Sequence, residues 1–129
     1  MAESRLAECD VVAFVYVVDA ARAKDFYAGK LGLRFIGDES PFALVFDAHG
    51  IMLRLGLAKE RPQIQGTVLG WRVDDIEPKV KELMSAGVEF ERFPGIPQDE
   101  LGIWTTPTGA RVAWFKDPDG NILSVSQHP

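Results

Sequence analysis

The sequence predicts an α+β chain made of two tandem βαβββ units, and three observations carry that reading. Asp19 and Gly32 bracket a helical pattern 13 positions long, and Asp74 and Gly87 bracket a second one of the same length. The turn signal Asp47-x-x-Gly50 returns as Asp117-x-x-Gly120. Between the two halves, residues 58–66 (AKERPQIQG) are polar, contain a proline and show no hydrophobic period, so they read as a linker. With 129 residues, the size of one ordinary domain, the chain is expected to be a single domain at 1–129, with module 1 at about 8–57 and module 2 at about 67–127.

Each element follows from local chemistry. Residues 11–18 are β-branched and aromatic and stop at Asp19, which marks a buried strand followed by a helix N-cap. Ala23, Phe26, Tyr27 and Leu31 recur at helical spacing, predicting a helix over 20–31 that Gly32 terminates. Strands are expected at 33–37, 42–46 and 51–57, separated by the turn signals at 38–41 and 47–50. The second half repeats the order: a strand at 67–73, then a helix capped by Asp74 or Asp75 with Ile76, Val80, Leu83 and Met84 on its apolar face. Pro78 in its first turn costs little there. Strands are then expected at 88–93, 103–106, 111–116 and 122–126, with a Pro/Gly-rich loop after the first and tight turns at 107–109 and 117–120.

Composition narrows the function classes. The formal net charge is −5 and no basic run occurs, which argues against nucleic acid, because a phosphate backbone is gripped by clustered Lys and Arg. Cys9 is the only cysteine, so neither an internal disulfide nor a thiolate metal site can form within the chain. The N-terminal stretch MAESRLAECD carries acids where a secretory signal has basic and then apolar residues, and no apolar run approaches membrane-spanning length. The expectation is a cytoplasmic protein without a membrane partner.

Three segments carry a more specific resemblance: DFYAGKLGL at 25–33, VDD with its helix ending in AGVEF at 86–90, and WFKDPDGNILSVSQ at 114–127. In these the chain resembles the glyoxalase/bleomycin resistance protein/dioxygenase superfamily, also called the vicinal oxygen chelate family, over nearly all its length. The resemblance implies two βαβββ modules curling into an open eight-stranded barrel-like cup that holds a ligand or metal. Metal-binding members place His and Glu ligands on the first and last strand of each module. The matching positions here are Val12, Arg54, Val68 and Ser124, counted seven residues before Asp19 and Asp75 and seven after Asp47 and Asp117. Two valines, an arginine and a serine cannot supply a coordination shell, so no metal and no other cofactor is expected. His49 in a turn and His128 near the C-terminus read as surface residues.

Strand alternation extends this to a pocket. If Val12 faces the cup, so do Phe14 and Tyr16; Met52 accompanies Arg54, and Arg72 and Gly70 accompany Val68. The family pattern places Trp114 inward beside Ser124, with Trp104 near the same wall, and leaves Trp71 on the helix-packed side. The expected ligand-binding set is therefore Phe14, Tyr16, Met52, Arg54, Arg72, Trp104, Trp114 and Ser124, with Arg54 the one candidate catalytic group. An arginine where relatives hold a Lewis acid offers a permanent cation and a fork of donors; the plainer alternative is a strand arginine paired with an acid such as Asp47 or Glu91. The serines and Cys9 have no visible base, and the carboxylates of Asp117-Pro118-Asp119-Gly120 are explained by a tight turn. The function this favours is metal-independent binding of a small molecule in an aromatic pocket. The alternative is a lyase, isomerase or dioxygenase-like enzyme that uses Arg54 or an unrecognised metal site. A homodimer is expected in either case, its cup formed within one chain or across two.

Overall fold

In the computed structural model, which describes residues 6–61 and 63–129, the first strand is β1 (Val12–Val17). Residues 1–5 of the acid-bearing N-terminal stretch and Pro62 of the linker lie outside the described residues. Asp19 caps α1 (Ala20–Lys24) as its sequence position predicts, its carboxylate accepting from the Arg22 N–H at 3.0 Å. The expected single α-helix over 20–31 differs in one respect. From Asp25 to Lys30 the coil widens to a π-helix, closed by the Leu31 N–H donating to the Phe26 carbonyl at 2.9 Å. A wider turn narrows the angle between neighbouring side chains, which lets the adjacent rings of Phe26 and Tyr27 both enter the interior.

Three strands complete the unit: β2 (Arg34–Glu39), β3 (Ala43–Ala48) and β4 (Ile51–Leu57). They form a four-stranded sheet of order β1-β4-β3-β2, with β1 parallel to β4 and the rest antiparallel. The turn between β3 and β4 uses His49 and Gly50 at φ 53° and 90°, conformations that match the twist of a hairpin, and Asp47 accepts from the Gly50 N–H.

The second unit has β5 (Thr67–Arg72), α2 (Ile76–Ser85), β6 (Trp104–Thr105), β7 (Arg111–Lys116) and β8 (Ile122–Gln127), in the order β5-β8-β7-β6. Here three expectations need correction. Residues 88–93 form no strand; only Phe90 bridges to Phe115. The Gln98 side chain takes over the role of a ladder neighbour: its oxygen accepts from the Phe93 N–H and its amide donates to the carbonyls of Glu91 and Gly102. The strand expected at 103–106 shrinks to two residues. Neither Asp74 nor Asp75 bonds the helix end; Asp75 occupies the N-cap position, but the Ile76 N–H donates to Gln127 at 2.9 Å, from the far end of the chain.

One apolar cluster joins both units. Val15, Val17, Leu53 and Leu55 from the first sheet meet Phe115, Leu123 and Val125 from the second, with Ile76 and Val80 of α2. Phe26 of the first unit lies 6.4 Å from Phe115 of the second, ring centre to ring centre. A polar link runs alongside. Asp117 is buried, and its carboxylate accepts from the Tyr27 hydroxyl at 2.7 Å, from the backbone N–H groups of Asp119 and Asn121, and from the Asn121 amide. The same amide donates to the Tyr16 carbonyl. Burial, and then the adjacent Asp117 carboxylate, push the Tyr27 phenol far above its ordinary range. The tight turn read at 117–120 is thus also a joint between the units. Among the described residues no helix is long and apolar enough to cross a membrane.

Candidate functional site

Because β1 alternates, Val15 and Val17 are buried while Val12, Phe14 and Tyr16 stand on the opposite face, 43%, 55% and 48% exposed. The register sets their neighbours on β4: Val12 lies beside Met52, Phe14 beside Arg54, and Tyr16 beside Gly56. Tyr16 covers Gly56 so closely that a Cβ there would come 2.6 Å from the ring. The glycine is what lets the ring lie down. Met52 is also open, and a depression of about 530 Å³ runs over this face between Val12, Ile36, Asp47 and Met52.

Arg54 sits in the middle of that face, between Phe14 and Val45. Its guanidinium pairs with Glu39 at 2.8 Å, its side chain only a quarter exposed against 55% for Glu39. The acid is neither Asp47 nor Glu91; Glu91 faces Lys116 instead, at 3.7 Å. An exposed pair of this kind contributes little stability, on the order of 0–1 kcal/mol. Its effect is to hold the fork of donors at a fixed place.

On the second sheet the corresponding face is aromatic. Trp104 and Trp114 stack with centroids 6.1 Å apart at 23°, and Phe93 meets Trp114 edge-on at 5.5 Å. Trp114 is in register with Ser124, and Ser124 with Gly70. Ser124 is almost fully buried, and a Cβ at Gly70 would stand 2.6 Å from its hydroxyl. Val68 lies at the irregularity near the start of β5, half-buried. Arg72 is in register with Ser126 but lies on the edge strand, where it also borders the groove beside α2. Trp71 is on the helix side, stacked on Phe115. The site residues read from sequence thus fall into two groups: Phe14, Tyr16, Met52 and Arg54 on one sheet, and Trp104, Trp114 and Ser124 on the other, with Arg72 apart at the edge.

The positions that counting along the sequence matches to the family's metal ligands carry Val12, Arg54, Val68 and Ser124. Only the serine hydroxyl among them has a lone pair to give, so these residues do not fit a divalent ion. Among the described residues no group of three or more His, Cys, Asp and Glu side chains is gathered tightly enough to hold one. His49 is exposed in its turn, and His128 contacts the Ser126 hydroxyl at 2.9 Å. Sequence reasoning missed Glu39 and Phe93. Glu39 lies 15 residues from Arg54, on a strand two away in the sheet, and Phe93 is in a loop, so neither carries a local signal.

The architecture is shared with solved structures. A superfamily member from Sphaerobacter thermophilus DSM 20745 is 26% identical, with a TM-score of 0.68 over 92% of this chain and 96% of that one. A glyoxalase/bleomycin resistance protein/dioxygenase from Alicyclobacillus acidocaldarius is 19% identical, with a TM-score of 0.70 over 94% and 92%. A lactoylglutathione lyase from Agrobacterium tumefaciens is 18% identical, with a TM-score of 0.67 over 92% and 93%. At the last two identities the likeness is one of fold. A comparison with curated proteins finds no match. The family model for the Glyoxalase/Bleomycin resistance protein/Dioxygenase superfamily matches residues 8–125, and the chain belongs to that superfamily.

Proposed function

We propose that the protein binds a small, flat, partly aromatic molecule without a metal, in a pocket walled by Phe14, Tyr16, Met52 and Arg54 on one sheet and by Trp104, Trp114 and Ser124 on the other, and that it works as a homodimer. The observation that carries this is the run of Val12, Phe14, Tyr16 and Met52 left open along one sheet face. Contiguous apolar surface of that kind marks a binding face. The stacked tryptophans supply the flat wall, and the Arg54–Glu39 pair supplies one donor fork and one acceptor to orient a polar substituent.

The test is a fluorescence titration of the native protein with a panel of planar aromatic compounds, with and without a chelator. Saturable tryptophan quenching, absent turnover and indifference to the chelator are expected, with the quenching much reduced in Trp114→Phe. Turnover that the chelator abolishes would overturn the proposal. A second reading is favoured by the position of Arg54, central in its face and three-quarters covered: the guanidinium would steady a carboxylate or a developing enolate in a metal-free enzyme. On that reading Arg54→Met loses turnover while tryptophan quenching persists.

A further inference from the structure

A second cavity lies on the opposite side of the second sheet, where α2 packs. It holds about 200 Å³ between the end of the first unit's helix, α2 and the inner face of β5, β7 and β8. Trp71 and Phe115, stacked at 15°, line it together with Leu31, Leu33 and Leu83. Leu31, Leu33, Trp71, Val73 and Leu83 all pack against the core yet stay half-buried, so apolar wall is left uncovered around one opening.

The charges at the rim have one sign. Arg72 and Lys79 border the cavity and no acid does; Asp74, Asp75 and Glu82 border only the outer groove into which it continues. Lys79 is shared with Glu82 at 3.0 Å, whereas no ion pair or hydrogen bond engages the Arg72 guanidinium among the described residues. An apolar chamber with a free cation at its lip suits an amphiphilic anion. Its size sets the class. Roughly 150 Å³ of apolar cavity accommodates a benzene ring, so this one holds a single ring or a short branched chain and excludes fused-ring compounds and peptide conjugates.

We infer that this cleft is a second ligand site, separate from the sheet-face pocket, that takes a small monocarboxylate with one aromatic ring or a short branched chain, its apolar part against Trp71, Phe115 and Leu83 and its carboxylate at Arg72 and Lys79.

The test uses ¹⁵N-labelled protein titrated with benzoate and, separately, with benzamide, a near-isostere without the charge. Benzoate is expected to move the amides of Val73, Lys79 and Leu83 saturably, and to leave those of Phe14 and Arg54 in place. Arg72→Gln, a change at an exposed position, should weaken benzoate about tenfold, the worth of one charge-assisted contact, and leave benzamide unchanged. Leu83→Trp fills the chamber and should abolish both responses; its dispersed spectrum reports whether it folds, and Arg72→Gln decides the question if it does not. Shifts centred on Phe14 and Arg54, or equal affinity for the two probes in native protein, would overturn the inference.

Discussion

Tyr27 shows how one hydroxyl can bind two halves of a chain. It is fully buried and donates to Asp117 across 90 residues of sequence. Tyr27→Phe keeps the ring and removes one of the donors to a buried carboxylate oxygen. The expected loss is about 1–3 kcal/mol, read from the urea midpoint. A pH dependence goes with it. The folded phenol is pushed above its unfolded value of about 10, so its stabilising contribution is complete below that pH and is lost as pH rises beyond it. Native protein should therefore destabilise more steeply in the alkaline range than Tyr27→Phe; parallel pH profiles would refute this assignment. Little of the joint was legible beforehand. Asp117 announced a turn through its Pro and Gly neighbours, but nothing near Tyr27 or Asp117 in sequence names the other. The Arg54–Glu39 pair was hidden for the same reason: alternation puts Arg54 on its face, and only the fold decides which acid arrives opposite.

Among the elements, the strands with clean alternation were readable and the irregular segments were not. The two-residue period of β1 separates Val15 and Val17 from Phe14 and Tyr16 in sequence as it does in the structure. Residues 88–93 look like a strand by composition, yet Gln98 meets their backbone groups from within its own loop, a side-chain substitution for a ladder partner that no propensity reveals. The start of α2 is a similar case, since Asp75 stands at the N-cap while Gln127 makes the bond. Gln127→Ala should cost about 0.5–2 kcal/mol, typical of a lost cap, and increase hydrogen exchange at Ile76 beyond the change in global stability. Asp75→Ala should do less. Equal effects of the two substitutions would return the capping role to the aspartate.

For the whole molecule, the proposal of a homodimer rests on the open face of the first sheet. Phe14 is more than half exposed, so Phe14→Glu should change single-chain stability by no more than about 0.5 kcal/mol, while light scattering on the eluting protein shows a monomer where the native chain gives a dimer. A native monomer would defeat the idea. The α+β class and the duplicated order of elements were legible because spacing repeats within one chain; which surfaces meet another molecule was not, since exposure is a property of the finished fold. The joint at Asp117 also sets the two units apart. In the first unit the equivalent aspartate, Asp47, only steadies a surface hairpin, whereas Asp117 reaches Tyr27 and Asn121 at the interior. Equal spacing in sequence therefore covers unequal duties. A chain joined from two first halves would carry two Tyr27 hydroxyls and no buried carboxylate to receive either.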